Sequence, residues 1–349
     1  MTRIPDRARV AVVAVDGGNS KTDVALVGHD GSVLGLARGA SGSYHAVGMR
    51  RMLGTIRTTI RDAALEGGLD PAAVEPEVGA YCLAGADLPV DDRRLGRALD
   101  RAGLAGITLV HNDAFAGLRA GTTEGWGISL VLGTGLNCAG VGPTGRVVRF
   151  PALGALSGDE GGGSDLAVAG LGAAIHGRDG RGPRTSLEHL VPGHFGMRRP
   201  LDVVTAVHTG RILDADLAGL APVVFEAAVA GDVVARGLVD RLADLVVAMG
   251  VSAIRRLGVT RQPVEVVCIG SIWRTPDRTF HERVARGLLA AAPRADIRRL
   301  DAPPVLGAAL LGADRLGLGS DAEARLREQM TLERLERAVE APQRRDAGT

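Results

Sequence analysis

The sequence predicts an α/β protein built from two similar domains. Its 349 residues are enough for two domains of ordinary size. Two glycine-rich turns support the division, because each lies between apolar, strand-like runs: Asp16–Asp23 near the start and Gly133–Asn137 further on. Similar elements follow each turn in the same order, which indicates an ancient duplication.

The first half reads as three strands followed by alternating helices and strands. The predicted strands are Val10–Val15, Thr22–Gly28, Ser32–Arg38, Val78–Leu83 and Ile107–His111. Helices are predicted at His45–Glu66 and Asp91–Ala102, with a third starting at Ala114. We place this first domain at residues 1–121.

The second half repeats that order over residues 122–316. Its predicted strands are Ile128–Leu132, Leu136–Val141, Arg146–Phe150, Val264–Ile269 and Asp296–Leu300. Helices are expected at Phe280–Ala291 and Pro304–Leu316. Residues 170–232 read as a helical insertion, and a terminal helix at about 317–349 is expected to pack back on the first domain.

Composition excludes several classes of function. The formal net charge is +1 and arginines alternate with acids, so no nucleic-acid surface is expected. No apolar run reaches the length of a membrane span, and no apolar signal segment precedes Val10, so a cytoplasmic protein is expected. Cys82, Cys138 and Cys268 lie in or beside apolar strand-like runs, which favours small core residues over disulfides.

The two glycine turns are suited to binding phosphate. Glycine lets the backbone approach a ligand closely and point its amides outward. Lys21, the one lysine of the chain, lies in the first turn, and Asp16 ends the strand before it. A carboxylate at that place could hold a metal ion. One such turn alone is common in plain hairpins, but two facing turns suggest a nucleotide clamped between two domains.

Three further segments have both a chemical and a structural interpretation. Asp113 follows a predicted strand, where it is either a catalytic carboxylate or an ordinary helix N-cap. Asp159 and Glu160, set between glycines, suit sugar hydroxyls or simply a helix N-terminus. Gly270 and Ser271 are either nucleotide contacts or a strand-to-helix turn.

Five ordered motifs resemble the N-acetylglucosamine kinases and the wider BadF/BadG/BcrA/BcrD ATPase group, within the actin, hexokinase and Hsp70 superfamily. The resemblance covers roughly residues 9–316. It rests on Asp16–Lys21, His111–Asp113, Gly133–Cys138, Gly158–Gly161 and Cys268–Trp273. It implies two ribonuclease-H-like (actin-like ATPase) domains with a nucleotide cleft between them and a helical insertion in the second.

The resemblance also implies an ATP-dependent and Mg²⁺-dependent kinase acting on an amino sugar. Asp113 would be the catalytic base and Asp16 the magnesium anchor. The implied ATP contacts are Gly17, Gly18, Asn19, Ser20, Lys21, Gly133, Thr134, Ala218, Gly270 and Ser271. The implied substrate contacts are Ser43, Tyr44, His45, Asp87, Gly135, Asn137, Leu153, Asp159 and Glu160. A homodimer formed through the second domain is expected on the same basis.

The acceptor sugar stays open at this stage. Ser43 stands where the related kinases have Asn, and Leu153 where they have Trp, so the sugar pocket departs from the family pattern. N-acetylglucosamine, glucosamine, N-acetylmannosamine and N-acetylmuramic acid all remain, with the 6-hydroxyl as the simplest site of attack.

Two other functions compete with the kinase. One is a BadF-type ATPase that activates a partner enzyme through an iron–sulfur cluster, although no pair of cysteines suggests cluster ligation. The other is a non-catalytic sugar sensor; the roughly nine residues before Val10 leave no room for a helix-turn-helix. A nicotinamide-binding Rossmann protein fits poorly, because the turn at Gly133 lacks the third glycine of that fingerprint.

Overall fold

The structure, a computed structural model, describes residues 10–346, with side chains over residues 10–340. The chain divides into two compact units. Unit 1 comprises the chain up to Trp126 together with the segment from Leu300 onward, and unit 2 comprises Gly127–Arg299. Each unit has a five-stranded mixed sheet with helices packed against it.

The sheet of unit 1 has the strand order β3-β2-β1-β4-β5. Its strands are β1 (Val10–Gly17), β2 (Thr22–Gly28), β3 (Val33–Gly39), β4 (Val78–Leu83) and β5 (Ile107–Asn112). The first three strands are antiparallel neighbours, whereas β4 and β5 run parallel to β1. The ends of β1, β4 and β5 therefore meet at one edge of the sheet, where ligand sites of such sheets are found.

Helices cover both faces of this sheet. They are α1 (Tyr44–Val47), α2 (Met49–Glu66), α3 (Pro89–Ala102), α4 (Asp113–Gly121), α11 (Val305–Leu316), α12 (Ser320–Gln329) and α13 (Leu332–Asp346). On one face, Ile56 of α2 and Leu95 of α3 are buried. On the other face, α4 and α11 pack together, and α12 and α13 contribute buried Leu326 and Leu335.

Unit 2 repeats the topology of unit 1. Its strands are β6 (Gly127–Leu132), β7 (Leu136–Val141), β8 (Val147–Arg149), β9 (Glu265–Ile269) and β10 (Asp296–Arg299). The order β10-β9-β6-β7-β8 corresponds to that of unit 1, again with three antiparallel strands followed by two parallel ones. The predicted α/β fold with a duplicated unit is confirmed.

The segment between β8 and β9 is helical. Its helices are α5 (Gly163–Asp179), α6 (Leu187–His194), α7 (Pro200–His208), α8 (Leu220–Val229) and α9 (Val233–Leu257), and α10 (Arg278–Ala291) follows β9. Over residues 10–346, no single helix is both long and apolar enough to cross a membrane; Asp214–Val229 and Val233–Leu257 pass that test only as a pair bent by 116°.

Two details of the sequence interpretation require correction. The helix predicted at residues 304–316 was placed in the second domain, but α11 belongs to unit 1, because Gly307 packs on Ala116 of α4 and Gly312 on Val12 of β1. The single helix predicted from His45 is broken at Gly48, whose φ of 79° is incompatible with a continuous right-handed helix.

The terminal helix packs against unit 1, and the three cysteines are buried. Arg334 of α13 donates to the carbonyl of Val33 at 2.7 Å, so the terminal helix contacts β3. Residues 347–349 of that predicted helix lie outside the described residues. Cys82, Cys138 and Cys268 are all buried and free, which confirms their interpretation as core residues.

Candidate active site

The first glycine turn connects β1 to β2 in unit 1. The N–H of Gly18 donates to the carbonyl of Lys21 at 2.8 Å, which closes the turn. A Cβ on Gly17 would lie 2.6 Å from a methyl group of Leu83, so only glycine fits there without displacing that side chain. The predicted phosphate contacts Asn19, Ser20 and Lys21 are exposed at the tip.

Two half-buried carboxylates lie in unit 1 at the edge where the parallel strands end. Asp16 is near the end of β1, and Asp113 is the first residue of α4, directly after β5. Burial raises the pKa of Asp113 to about 6. Burial, followed by repulsion from Asp113 and Asp23, raises the pKa of Asp16 to about 8. Such perturbed carboxyl groups are typical of functional sites.

Asp23 is a site residue that the motif reading did not assign. It is directly opposite Asp16 in the β1–β2 pair and opposite Arg38 in the β2–β3 pair. Arg38 donates to both oxygens of the buried Asp23 carboxylate, at 2.6 and 2.9 Å. The ammonium group of Lys21 lies 3.6 Å from the same carboxylate. Asp23 therefore has its counter-charges within the protein. The leading charged neighbours of Asp16, in contrast, repel its carboxylate.

The unit 1 carboxylates fit a magnesium ion better than a metal held by protein ligands alone. Within the described residues, no group of three or more His, Cys, Asp or Glu side chains is arranged to hold a metal ion. Magnesium usually takes only one or two carboxylates and completes its shell with water and phosphate oxygens. Asp16 is the residue that fits this role, because a cation would offset the repulsion that raises its pKa.

Asn112 joins a predicted substrate residue to the start of α4. Its side-chain oxygen accepts from the N–H of Ala114 at 3.0 Å, as an N-cap does. Its side-chain nitrogen donates to Asp87 at 2.8 Å. Asn112, rather than Asp113, is thus the cap of this helix. The alternative interpretation of Asp113 as an N-cap is wrong.

The other predicted substrate residues of unit 1 have different environments. Ser43 is buried, and the hydroxyl of Tyr44 donates to Asp91 at 2.5 Å. Burial and this hydrogen bond raise the pKa of Tyr44 to about 12. His45 is exposed, and its ring lies on that of Tyr44 with 3.9 Å between the centroids. Of these three side chains, His45 is the one presented to solvent.

The second glycine turn joins β6 to β7 in unit 2 and is held by the start of α5. The N–H groups of Gly163 and Ser164 donate to the carbonyls of Gly133 and Thr134, at 2.7 and 2.9 Å. Thr134 and Gly135 are exposed at the tip. Asn137, in β7, accepts with its side chain from the N–H of Cys138 at 2.7 Å, so it is oriented by its own backbone.

Four predicted nucleotide contacts line one cavity of unit 2. The cavity has a volume of about 570 Å³, and Gly133, Thr134, Ala218 and Ser271 all contribute to its wall. That volume is in the range of ordinary small-molecule sites. The turn at Gly133 is therefore placed beside a cavity large enough for a nucleoside.

The rest of this cavity is mostly apolar. Pro222, Phe225 and Val229 lie on one face of α8, opposite Ile272 and Pro276. The ring of Phe225 packs edge-on against Phe280, with 5.4 Å between the centroids. Glu226 and Arg274 are the charged residues of the lining. Such a cavity suits a flat, hydrophobic group with a few polar atoms at its edge.

Gly270 precedes the cavity residue Ser271 and packs against the end of β6. Its φ is 113°, and a Cβ there would lie 2.4 Å from the carbonyl oxygen of Leu132. Glycine is thus required where the chain leaves β9 beside the turn between β6 and β7. Gly270 does not itself line the cavity, whereas its neighbour Ser271 does.

The predicted sugar residues of unit 2 lie in a loop between β8 and α5. Asp159 is buried, and its two oxygens accept from the N–H of Ala152 at 2.7 Å and the hydroxyl of Ser157 at 2.5 Å. Leu153 is 38% exposed. Glu160 pairs with Arg241 at 3.3 Å. Glu160 is therefore held toward α9 rather than left open at the loop.

Comparison with known proteins identifies the family to which this chain belongs. The profile described as the BadF/BadG/BcrA/BcrD ATPase family matches residues 13–312, and the chain belongs to this family.

Two curated relatives are sugar kinases by name. The chain is 28% identical over 235 residues to an N-acetylmuramic acid/N-acetylglucosamine kinase of Clostridium acetobutylicum, covering 66% of this chain and 75% of that protein. It is 26% identical over 313 residues to an N-acetyl-D-glucosamine kinase of Dictyostelium discoideum, covering 86% and 96%.

Solved structures share the fold. A provisional N-acetylglucosamine kinase from Chromobacterium violaceum matches with a TM-score of 0.68 at 23% identity, over 87% of this chain and 99% of that one. A ROK hexokinase from Thermus thermophilus matches with a TM-score of 0.54 at 19% identity, over 88% and 99%. These matches confirm the two-domain, actin-like ATPase fold.

Proposed function

We propose that this protein is an ATP-dependent kinase that phosphorylates a hydroxyl of an amino sugar. The observation that carries the proposal is the pair of half-buried carboxylates with raised pKa values, Asp16 and Asp113, beside the first glycine turn of unit 1. The names of the two curated relatives support an N-acetylated amino sugar as the acceptor. N-acetylglucosamine is the first candidate, with the 6-hydroxyl as the nucleophile.

Asp113 is the proposed catalytic base. Its pKa of about 6 leaves the carboxylate ionised at neutral pH, yet makes it a better proton acceptor than an exposed aspartate. It would accept the proton of the attacking hydroxyl as the oxygen bonds to phosphorus. The N-cap hydrogen bond of Asn112 fixes the start of α4 and hence the place of this carboxylate.

Asp16 is the proposed anchor for magnesium. When bound, Mg²⁺ supplies positive charge that neutralises the phosphate oxygens during transfer. Lys21 and the amides of Gly17 and Gly18 are proposed to bind the phosphates from unit 1, with Asn19 and Ser20 at the exposed tip. Gly133 and Thr134 are proposed nucleotide contacts at the second glycine turn, in unit 2.

The cavity of unit 2 is the proposed adenosine site. Its apolar walls, formed by Phe225, Ile272 and their neighbours, suit the two faces of a purine. Ala218 and Ser271 line the same cavity. Asp87, His45 and Asn137 are proposed acceptor contacts, and Gly135 lies at the same turn as Asn137. We further propose a cytoplasmic homodimer, in line with the resemblance that the sequence carries.

The direct test is a coupled ATP assay with a panel of amino sugars, followed by NMR to locate the phosphate. We expect turnover with at least one N-acetylated amino sugar, and little loss of ATP without an acceptor. ATP hydrolysis that is unaffected by any sugar would instead favour a partner-activating ATPase, and the kinase proposal would be abandoned.

Asp113→Asn tests the role of the base. The amide has nearly the same shape as the carboxylate but accepts no proton, so we expect nucleotide affinity to stay within about twofold while kcat falls by 10²–10⁴-fold. Isothermal titration with a nucleotide analogue measures the first, and the coupled assay measures the second. Turnover near that of the wild type would exclude Asp113 as the base.

A further inference from the structure

A closed network of hydrogen bonds shapes the loop between β8 and α5. Ser157 is its centre: the hydroxyl donates to Asp159 at 2.5 Å and accepts from the N–H of Leu153 at 3.0 Å. Asp159 in turn accepts from the N–H of Ala152 at 2.7 Å. The N–H groups of Ser157 and Asp159 both donate to the carbonyl of Gly154, at 3.0 and 3.2 Å. We call residues 152–159 the stapled loop.

The stapled loop holds a strained backbone. Ala152 has a φ of 54°, and it is the only residue other than glycine with a positive φ in the described chain. An L-residue with a Cβ rarely adopts this conformation, so the surroundings must maintain it. One contact at this residue is the hydrogen bond from the N–H of Ala152 to the buried carboxylate of Asp159.

The stapled loop is next to the second glycine turn, which joins β6 to β7 in unit 2. Just before the loop, the N–H of Phe150 donates to the carbonyl of Cys138, in β7. Just after it, Gly162 packs so closely on Gly135 that a Cβ would lie 2.4 Å from that residue's carbonyl carbon. The position of the loop is therefore tied to the turn that includes Gly135 and Asn137, two predicted acceptor contacts.

We propose that Ser157 and Asp159 act together as positioning residues that set the acceptor specificity. They hold the Ala152–Leu153 backbone so that the half-exposed Leu153 forms a fixed wall of the amino-sugar site. This inference rests on the proposed kinase function. It differs from the role that the resemblance implies for Asp159, because each oxygen of its carboxylate accepts a hydrogen bond from within the loop, which orients the carboxylate toward Ala152 and Ser157.

Ser157→Ala separates the two roles of Asp159. It leaves the Asp159 carboxylate in place and removes only the hydroxyl that joins Asp159 to Leu153. If the stapled loop positions Leu153, the KM for the preferred sugar rises about fivefold, the size expected for one hydrogen bond, while the KM for ATP is unchanged. Discrimination between N-acetylglucosamine and N-acetylmannosamine should fall to a similar extent.

Ser186→Ala is the matched control. Its hydroxyl donates to Asp232 at 2.8 Å, so it also loses one serine–aspartate hydrogen bond, but in the helical segment outside the loop. We expect it to keep the wild-type KM values and sugar preference. Thermal unfolding of both variants checks that neither change acts through global stability.

Two further measurements make the test independent of simple activity loss. In a cycle of Ser157→Ala and Asp159→Asn, the two losses should be strongly non-additive, because they break one unit. In an Ala152→Gly background, Ser157→Ala should cost less, since glycine adopts the positive φ without strain. Amide exchange at Ala152 and Leu153 in the unliganded protein should accelerate in Ser157→Ala.

The outcomes distinguish this inference from the proposed function. If no amino sugar is phosphorylated by the wild type, the proposed function fails, whatever the exchange rates are. If the wild type is active and Ser157→Ala keeps both its KM and its sugar preference, while Asp159→Asn raises KM, then Asp159 is a direct sugar ligand. The positioning role would then be rejected.

Discussion

Carboxylates in unit 1 differ in whether charged side chains of the protein offset their negative charge. Asp23 has Arg38 and Lys21 beside it, and Arg119 is paired with Asp314 and Glu323. Asp16 instead has Asp113 and Asp23 as its leading charged neighbours, and both raise its pKa. Carboxylates whose charged neighbours mainly repel them are typical of sites where a ligand offsets the repulsion, which is why the site is assigned to Asp16 and Asp113.

Asn112→Asp should selectively disturb the acceptor side of unit 1. The aspartate still caps α4 through an oxygen, but it can no longer donate to Asp87 and adds a negative charge beside it. We expect the sugar KM to rise about tenfold, with little change in the KM for ATP.

Asn112→Ala is the comparison for this variant. It removes the cap as well, so it should lower the free energy of unfolding by about 1 kcal/mol in urea titrations. Equal effects of Asn112→Asp on both substrates would show that Asn112 acts only through the helix start that carries Asp113.

The positions of some of these residues could be predicted from the sequence alone. Asp16 and Asp113 follow apolar runs, so their place at strand ends was readable from the pattern. Asp23, Asn112 and Ser157 were not assigned, because their roles depend on cross-strand register and on how loops close. The pairing of Asp23 with Arg38, for example, requires β2 and β3 to align residue by residue.

At the scale of elements, the strands were predicted more accurately than the helix contacts. Thr22–Gly28, Val78–Leu83 and Leu136–Val141 have the predicted bounds, since apolar and β-branched runs end at clear turn residues. The assignment of α11 to the second domain failed because its apolar face is consistent with packing on either sheet. Its close approach to α4 at Gly307 is visible only in the structure.

Gly307→Ala should destabilise unit 1, although glycine-to-alanine changes within helices usually stabilise by up to about 1 kcal/mol. A Cβ at position 307 would lie 1.7 Å from the carbonyl oxygen of Ala116, and backbone cannot rotate away as a side chain can. We expect a loss of about 1–3 kcal/mol in the free energy of unfolding.

Gly54→Ala is the matched control within a helix. It lies in α2, and a Cβ there would meet no atom within 4 Å. We expect it to be neutral or stabilising by less than about 1 kcal/mol. If both variants behave alike in urea titrations, the α4–α11 contact is looser than described.

Glu323→Gln tests the ionic network that joins α4, α11 and α12. Arg119 donates to Asp314 and to Glu323, and Arg327 links Glu323 to the carbonyls of Ala120 and Thr122. Hydrogen bonds from Arg119 are the main cause that lowers the pKa of Glu323, from 4.5 to about 2. The ionised glutamate therefore stabilises the folded state above pH 4.5, and this contribution is lost as the pH falls toward 2.

At pH 6 we expect Glu323→Gln to reduce the free energy of unfolding by about 1 kcal/mol, given partial solvent screening. The difference from wild type should shrink steadily when urea titrations are repeated between pH 4.5 and 3. A difference that stays constant over that range would mean that the charge of Glu323 contributes nothing.

The whole molecule contains two copies of one sheet topology with different contributions to the proposed chemistry. Unit 1 has the carboxylates, the lysine and Asp87, whereas unit 2 has the cavity proposed for adenosine and the stapled loop. The duplicated topology was predictable from the order of elements. The different contributions of the two units could not be predicted, because they depend on side chains at equivalent positions that differ between the two halves.

Because the two units contribute different groups, ligands should protect them from hydrogen exchange in different ways. Adenosine alone has no phosphate, so it should protect amides around the cavity, such as those of Ile272 and Phe225, and leave unit 1 unchanged. A non-hydrolysable ATP analogue with Mg²⁺ should additionally protect the turn from Gly17 to Lys21 and the start of α4. Asp16→Asn should abolish that second protection while keeping the first, because the cavity does not include Asp16. Protection of unit 1 by adenosine alone would contradict the assignment of the cavity to the nucleoside and of the first glycine turn to the phosphates.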